Sequence, residues 1–221
     1  MFDPAAAFAT VEYLAGQVGP REAASAAYDE AVQFVISQFE SLGYEVSTMP
    51  VPVPAGDSWG VPVAAGTSEN VIADPPGFDQ AGPHVVLGAH LDTVAVAPGA
   101  EDNGSGVAVL LELARMAAQQ PSAIPVRFIA FGAEEPRGRG DDLHHFGSQD
   151  YVATLSAAQR DAVLAMVSLD RVGVPAGAVP VSTGGTGTTA VLDALLAAAD
   201  SAGVPARQDD QNRASDHWSF E

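Results

Sequence analysis

A regular alternation of apolar strands and helices between residues 84 and 202 constrains the fold more than any other feature of this sequence. Continuous apolar runs at 84–90, 125–131 and 162–170 predict strands that are buried on both faces. Helical segments separate these runs, and parallel strands need such crossovers between them. We therefore predict an α/β fold of three αβα layers around a largely parallel, mixed central sheet.

The N-terminal part adds helices and an edge strand to this plan. Residues 4–18 and 23–42 carry apolar side chains at helical spacing and are predicted to form amphipathic helices. Residues 44–54 alternate like a strand, but their prolines cannot donate hydrogen bonds and predict an edge position. Residues 54–83, rich in Gly, Pro and Asp, are predicted to form mainly loop with a short strand near "NVIA".

The composition fits one globular domain and narrows its partners. Of the 221 residues, 47% are hydrophobic and 17% are charged, a balance typical of a folded core rather than of a disordered segment. The formal charge of −19 disfavours nucleic acid as a partner, and no apolar stretch is long enough to cross a membrane. Because the chain has no cysteine, any metal ion must be held by histidines and carboxylates.

Acidic residues and a histidine stand where predicted strands end or where a helix begins. They are His90, Asp92, Asp102, Glu134, Glu135 and Asp170. Each has an ordinary explanation by itself, such as a core histidine with an acidic neighbour, a helix N-cap, a turn or a solvated loop acid. The carboxyl ends of parallel strands meet at one rim of an α/β sheet, however, and ligands bind there. The ordered set therefore predicts a metal-dependent site at that rim.

The spacing of these residues suits different roles in such a site. Asp92 follows His90 by two residues, so it suits the acceptor that fixes the tautomer of a ligating imidazole. Asp102 lies in a glycine-rich loop, from which a carboxylate can approach two ions. Adjacent carboxylates at Glu134 and Glu135 repel unless a cation or a proton separates them, so one can bind metal while the other takes a proton from water.

Two histidine-containing segments lie outside this set. His144 and His145 are adjacent in the polar loop "RGRGDDLHHFGS". Neighbouring residues of an extended loop point in different directions, so we predict a solvated loop or the rim of the site for this pair. Asp216 and His217 precede Trp218 in "ASDHWSF".

Taken together, these segments resemble the zinc-dependent metallo-aminopeptidases typified by the bacterial leucine aminopeptidases. The resemblance extends from "YLAGQVGPRE" to "SDHWSF" and is carried by "GAHLDTV", "GAEDNGSGVAVLLELAR", "FIAFGAEEP", "FGSQDYV" and "SLDRVG". The twelve-residue gap between His90 and Asp102, with "DNGSG" attached, distinguishes the chain from the related carboxypeptidase-type di-zinc enzymes, in which the gap is longer.

The resemblance implies a binding site for two zinc ions. His90 and Asp170 would hold one ion and Glu135 the other. Asp102 would bridge both ions. These four residues are the metal ligands that we predict.

The same resemblance implies a reaction and its helpers. Glu134 would be the general base, Asp92 would orient His90, and the substrate would be a peptide with a free N-terminus whose first residue is hydrolysed off. Asp216 and His217 would lie beside the substrate pocket without binding metal. Two alternatives remain: a single-zinc glutaminyl cyclase-like transferase, against which "DNGSG" and His90 argue, and a non-catalytic binding domain of the same fold.

The chain departs from the family pattern in two places. An extra stretch, "RGRGDDLHH", precedes the glycine–serine pair at Gly147 and is predicted to form part of the pocket wall. The histidine that holds the second zinc in the family lies beyond the "SDH" motif, whereas the chain ends at Glu221. We therefore expect residues 1–221 to be a single metallopeptidase domain that lacks its C-terminal segment and binds zinc poorly. The resemblance also favours an extracellular or cell-envelope location, although the first residues do not resemble a signal peptide.

Overall fold

The computed structural model describes residues 1–185, 188–209 and 212–221, except for the side chain of Asp141. The α-helices of this part are α1 (Pro4–Val11), α2 (Ala26–Ser41), α3 (Gly106–Gln119), α4 (Phe146–Thr154), α5 (Ala157–Ala162) and α6 (Ala190–Ser201). The strands are β1 (Glu45–Val53), β2 (Gly56–Ser58), β3 (Val61–Val63), β4 (Gly66–Asp74), β5 (His84–His90), β6 (Val126–Phe131), β7 (Val163–Ser168), β8 (Val179–Val181) and β9 (Ala206–Gln208). Tighter or wider helical turns lie at Glu12–Val18, Asp141–Leu143 and Asp216–Phe220.

Among the described residues, the central sheet has the strand order β1-β4-β6-β5-β7. β5 runs parallel to both β6 and β7, whereas β4 runs antiparallel to both β1 and β6. The mixed sheet predicted from the sequence is confirmed, and β5, β6 and β7 form its parallel part. β1 lies at one edge, as its prolines predict, with Pro50 opposite Glu69 of β4.

Strand β4 is longer than the sequence predicts. Its nine residues pair with β1 along their whole length, although the first part, "GTSEN", is polar. Asn70 is fully buried there because its side chain is used internally: it accepts from the amide of Gly132 and donates to the carbonyl of Gly147, both at 2.9 Å. Buried polar groups persist when they are hydrogen-bonded. The preceding residues, Gly66–Glu69, are small or polar, so apolar patterning does not reveal this half of the strand.

Alternating side chains of the sheet build two separate cores, one on each face. Val71 of β4 and Phe128 of β6 pack with α2 and α3, where Phe39 is fully buried. Their chain neighbours Ile72 and Ile129 point the other way and pack with Tyr151 of α4. Because successive strand residues face opposite sides, the sheet is covered by helices on both faces, which confirms the three-layer αβα architecture.

Two small elements lie outside the central sheet. β2 and β3 form an antiparallel hairpin, and β8 and β9 form a parallel pair that α6 contacts. In the part of the chain that the structure describes, no helix has both the length and the apolar character needed to cross a bilayer. The parallel strands β5, β6 and β7 therefore define the rim where the predicted site residues are to be sought.

Candidate metal centre

His90, the last residue of β5, lies at the centre of the predicted cluster. It is only 1% exposed, and its Nε2 is 3.0 Å from Oδ1 of Asp102. The same nitrogen is 3.7 Å from Oδ1 of Asp170 and 3.9 Å from Oε2 of Glu134. Residues that are up to 80 positions apart in the sequence thus meet around one imidazole.

Asp92 forms hydrogen bonds with both His90 and the adjacent glutamates, Glu134 and Glu135. The Nδ1 atom of His90 is 3.1 Å from the carbonyl oxygen of Asp92 and 3.6 Å from its carboxylate. The carboxylate itself accepts the backbone N–H groups of Glu134 and Glu135, each at 3.0 Å. Asp92 therefore positions His90 mainly through its main chain, while its side chain fixes the turn that carries the two glutamates.

Asn103 connects the segments that carry Asp102 and Asp170. Its Oδ1 accepts from the amide of Gly106 at 2.9 Å, and its Nδ2 donates to the carbonyl of Leu169 at 2.8 Å. A Cβ atom on Gly106 would lie 2.1 Å from that same carbonyl oxygen, so only glycine permits this approach. The peptide bond between Asp102 and Asn103 is cis. The Asn103 side chain thus accepts the first amide of α3 and ties this helix to the segment that carries Asp170.

Glu134 follows a residue in an unusual backbone conformation. Ala133 has a positive φ of 55°, which is uncommon for a residue other than glycine. The carbonyl of Ala133 accepts from Phe146 and the carbonyl of Glu134 from His145, both at 2.9 Å. These bonds return the extra loop to the strand end and hold Glu134 at the rim.

Of the two alternatives predicted for the adjacent histidines, the solvated loop is wrong for His145, which is buried beside Glu134 at the site. It is 2% exposed, and its Nε2 is 3.1 Å from Oε1 of Glu134. Its ring meets that of Trp218 edge-on, with 5.8 Å between centroids. The backbone of His145 has a positive φ of 55°, which turns its side chain inward where an extended loop would direct it to solvent.

The "SDH" residues separate into one buried and one half-buried side chain. Asp216 is fully buried, and neither carboxylate oxygen has a hydrogen-bond partner among the described residues. Burial raises the pKa of Asp216 to about 7, and the charge of Glu134 adds to the rise. His217 instead directs its Nε2 to the carbonyl of Asn212 at 2.7 Å. Asp216 is therefore close enough to the cluster for the charge of Glu134 to act on it, whereas the ring of His217 contacts the main chain of Asn212.

The cluster carries more negative charge than the central histidine, His90, balances. Burial raises the pKa of Glu134 to about 8 against the opposing charge of His90, and it raises the pKa of Glu135 to about 8 in the same way. Burial lowers the pKa of His90, but the surrounding carboxylates, Glu134 first, outweigh it and raise that pKa well above its usual range. Burial likewise raises the pKa of Asp170, yet contact with His90 brings it below its usual value. Without a cation, the site must hold protons.

Donor atoms in this cluster are close enough to share metal ions. One group of potential ligand atoms lying within 4.8 Å of one another belongs to His90, Glu134 and Asp170, and another belongs to His90, Asp102 and Glu135. Oδ1 of Asp170 is buried without a hydrogen-bond partner among the described residues. A buried carboxylate oxygen without a partner is costly unless a cation or donor reaches it, so the donor set fits zinc, which binds imidazole and carboxylate ligands.

Arg21, which the sequence does not single out, braces the loop between Asp92 and Asp102. Its guanidinium is completely buried and donates to backbone carbonyls of Leu91 at 2.7 Å, of Pro98 at 2.8 Å and of Gly99 at 3.0 Å. Burial lowers its pKa to about 10, against the nearby carboxylates. The guanidinium thus binds carbonyl oxygens of the loop, and no sequence pattern predicts that role for Arg21.

The neighbouring Glu22 holds the extra loop, residues 137–145, which is the second loop of the site. It pairs with the buried Arg137 of the extra loop, and Arg137 also donates to the carbonyl of Pro54 at 2.8 Å. Next to this loop, a cavity of about 390 Å³ is lined by Asp142, Gln149, Trp218 and Ser219. The extra loop therefore contributes a wall to a cavity, and the segment around Arg21 and Glu22 contacts both loops of the site.

Comparison with known proteins assigns the chain to a family. A model of peptidase family M28 matches residues 70–221. Because this match covers more than half of the chain, the protein belongs to peptidase family M28. The resemblance to zinc-dependent aminopeptidases that its motifs indicate is thereby confirmed.

Curated relatives with aminopeptidase names match part of the chain. Aminopeptidase YwaD of Bacillus subtilis is 36% identical over 158 residues, which are 70% of this chain and 33% of that protein. The probable lipoprotein aminopeptidase LpqL of Mycobacterium tuberculosis is 32% identical over 146 residues, which are 64% of this chain and 26% of that one. The chain spans less than half of the length of the first curated relatives that it matches.

Solved structures share the fold over nearly the whole chain. The zinc aminopeptidase BSAP from Bacillus subtilis has a TM-score of 0.86 at 21% identity, covering 100% of this chain and 82% of that one. The glutaminyl cyclase of Porphyromonas gingivalis has a TM-score of 0.83 at 24% identity, covering 99% and 79%. At these identities the likeness establishes the fold, in agreement with the predicted architecture.

Proposed function

We propose that this chain is the zinc-binding core of an aminopeptidase that removes N-terminal residues from peptides. The observation that carries the proposal is the partly buried acidic cluster around His90, in which Oδ1 of Asp170 has no hydrogen-bond partner among the described residues. A site of this composition is stable only with cations or bound protons. Membership of peptidase family M28 directs the choice to zinc and peptide hydrolysis.

Four residues of this chain would hold two zinc ions. His90 and Asp170 would bind the first ion, Glu135 the second, and Asp102 would bridge them. An imidazole nitrogen binds one ion, and Nδ1 of His90 faces the carbonyl of Asp92, so Nε2 is the atom available to metal. The 3.0 Å between this atom and Oδ1 of Asp102 supports a shared first ion.

Glu134 would move the proton in the reaction. Zinc, when bound, would polarise the scissile carbonyl and make water acidic enough to lose a proton near neutral pH. Glu134 would accept that proton at Oε2, the oxygen nearer to His90, and return it to the nitrogen of the leaving amine. Asp92 would keep Glu134 and Glu135 in register through their backbone N–H groups.

The test combines a zinc measurement with a pair of matched substrates. Elemental analysis of the protein that carries this chain is expected to find zinc, and leucine 4-nitroanilide is expected to be hydrolysed. Its N-acetylated counterpart is the control, because it lacks the free amino terminus and is expected to remain intact. A zinc-loaded protein that hydrolyses neither substrate, or both equally, would contradict the proposal.

A glutaminyl cyclase-like transferase is the second candidate, because a glutaminyl cyclase shares this fold almost as closely as an aminopeptidase does. A glutaminyl cyclase-like enzyme would bind one zinc ion, and both groups of potential ligand atoms contain His90, so the number of zinc ions per chain separates the two candidates. Formation of pyroglutamate from a glutaminyl peptide, with one zinc per chain, would favour this candidate. Zinc binding without either activity would favour a binding domain.

We also propose a location at the cell envelope or outside the cell. The relative LpqL, named a probable lipoprotein aminopeptidase, supports this location. Fractionation of the producing cells, with detection of the protein in each fraction, tests it. Recovery only from the cytoplasmic fraction would contradict it.

A further inference from the structure

The imidazole of His145 lies beside Glu134 and has no part in the zinc ligation proposed above. We propose that His145 is a positioning residue that donates a hydrogen bond from Nε2 to Oε1 of Glu134 and thereby directs Oε2 towards the substrate. The proposal rests on the function proposed for Glu134. It assigns a catalytic consequence to the extra loop that ends at His145.

The two oxygens of Glu134 have different surroundings. Oε1 lies 3.1 Å from Nε2 of His145, whereas Oε2 lies 3.9 Å from Nε2 of His90. One oxygen therefore faces the extra loop and the other faces the metal cluster. A carboxylate that is held at Oε1 cannot rotate freely, and its Oε2 stays available for proton transfer.

The backbone around His145 fixes the ring in this place. Its amide donates to the carbonyl of Glu134 at 2.9 Å, and its own carbonyl accepts from the amide of Gln149 at 3.0 Å. The ring packs edge-on against Trp218. His145 and Glu134 are thus joined through their main chains as well as through their side chains, which suits a rigid positioning contact.

The ring nitrogens of His145 are available for such a bond. Both are buried, and neither has a well-aligned hydrogen bond among the described residues, although Nε2 is within reach of Glu134. An unsatisfied buried donor is unfavourable, and catalytic hydrogen bonds in ligand-free enzymes are often poorly aligned and tighten when the complex forms. A small rotation of either side chain would complete the bond.

A role as zinc ligand is less suited to His145. Neither group of potential ligand atoms in the described part of the chain includes it. Its close contact is with the proposed base rather than with Asp102 or Asp170. A base that is itself oriented by a third group is a recurring arrangement in enzymes, and His145 is placed as that group.

The first test compares two substitutions of His145. His145→Leu removes the donor and is expected to lower kcat at least about tenfold, a fraction of the 10²–10⁴ that a general base contributes, with KM within about twofold and zinc content unchanged. His145→Gln can place an amide N–H near Oε1 and is expected to restore most of kcat. Arg139→Leu, at an exposed position of the same loop, is the control and should leave kcat close to the unsubstituted value.

The outcomes separate this inference from the proposed function. If the unsubstituted protein is active and His145→Leu keeps its kcat, or changes only KM or zinc content, the positioning role is wrong. Loss of kcat in both His145→Leu and His145→Gln would indicate a general packing role and would also contradict it.

A second measurement does not depend on turnover. Nitrogen NMR of the His145 ring is expected to show a protonated Nε2 whose signal shifts in Glu134→Gln. If the protein hydrolyses no substrate, the proposed function fails, and the NMR signal alone decides whether the hydrogen bond exists. An unprotonated Nε2, or a signal indifferent to Glu134→Gln, would overturn the inference.

Discussion

The guanidinium of Arg21 and the carbonyl oxygen of Leu91 are joined by a hydrogen bond of 2.7 Å between segments 70 residues apart. Leu91 lies between His90 and Asp92, so this bond holds the strand end at which the candidate metal site begins. The same side chain fixes Gly99, three residues before Asp102. Arg21 therefore fixes the distance between the two ends of the loop that joins Asp92 to Asp102.

We predict that Arg21→Met destabilises the protein by about 2–4 kcal/mol, because several buried carbonyls lose their donor. Its zinc affinity should fall as well, since the loop loses its fixed spacing. Urea unfolding and zinc titration measure the two effects. Arg139→Met, at an exposed position of the extra loop, is the control and is expected to change stability by less than about 0.5 kcal/mol. Equal stabilities for both variants would contradict the bracing role of Arg21.

Glu134→Gln is predicted to abolish turnover while zinc remains bound. Loss of a general base lowers kcat by about 10²–10⁴-fold, and the neutral amide keeps the shape of the side chain. Glu135→Gln should instead lower zinc content, because it removes a ligand. Steady-state kinetics and elemental analysis of both variants provide the check. The opposite pattern would mean that the two glutamates have exchanged roles.

Asp102→Ala is predicted to release both zinc ions, because the proposed bridge serves both sites. Replacement of a residue that binds only one ion, such as Asp170, should release less zinc than replacement of Asp102. Calorimetric titration counts the remaining sites. The control is Glu101→Ala, which removes a surface ion pair with Arg171 and should leave zinc binding unchanged. One tight site surviving in Asp102→Ala would refute the bridge.

The metal-free protein is predicted to lose stability as the pH rises. The pKa values of Glu134 and Glu135 are raised to about 8 and that of Asp216 to about 7, far above the values near 4 of free carboxyls. A raised carboxyl pKa means that the folded state binds the proton more tightly than the unfolded state does. The stability that these protonated carboxyls contribute is therefore present below about pH 4 and is lost between about pH 4 and 8.

Zinc should reverse this trend, because metal binding displaces protons from its ligands. Urea midpoints at pH 5 and pH 8, with a chelator and with zinc, test both statements. Asp216→Asn removes one of the titrating groups and should raise stability at pH 8 more than at pH 5. A chelated protein that is more stable at pH 8 than at pH 5 would show that these carboxyls are ionised in the fold without cost.

The sheet rim could be predicted because its evidence is local. Apolar runs end at His90 and close to Asp170, and parallel strands bring such ends together whatever the loops do. The first half of β4, Gly66–Glu69, could not be predicted, because these residues are small or polar and their pairing with β1 forms only in the folded chain, as do the hydrogen bonds of the buried Asn70 beside them. The spacing of apolar residues predicts which apolar side chains are buried. It does not predict which polar side chains are buried through hydrogen bonds.

The same limit explains the missed residues of the site. Arg21 is buried because its guanidinium binds main-chain carbonyls. In the sequence it is an isolated arginine in a loop, and nothing in its neighbours predicts that it is buried. His145 turns inward because of its backbone conformation, which the polar surroundings of the loop conceal. A signal for His145 did exist, since it directly precedes the "FGS" segment that carries part of the family resemblance.

The pairing of Glu22 with Arg137 has a consequence for the order of events in folding. The two residues are 115 positions apart, and because closing so long a loop costs chain entropy before the contact is gained, we expect this contact to form late. Strands β5 and β6 can pair earlier than the two loops can be fixed by residues 21 and 22. The capacity to bind metal would then arise in the last step of folding, so a partly folded chain would offer scattered carboxylates rather than a competent site.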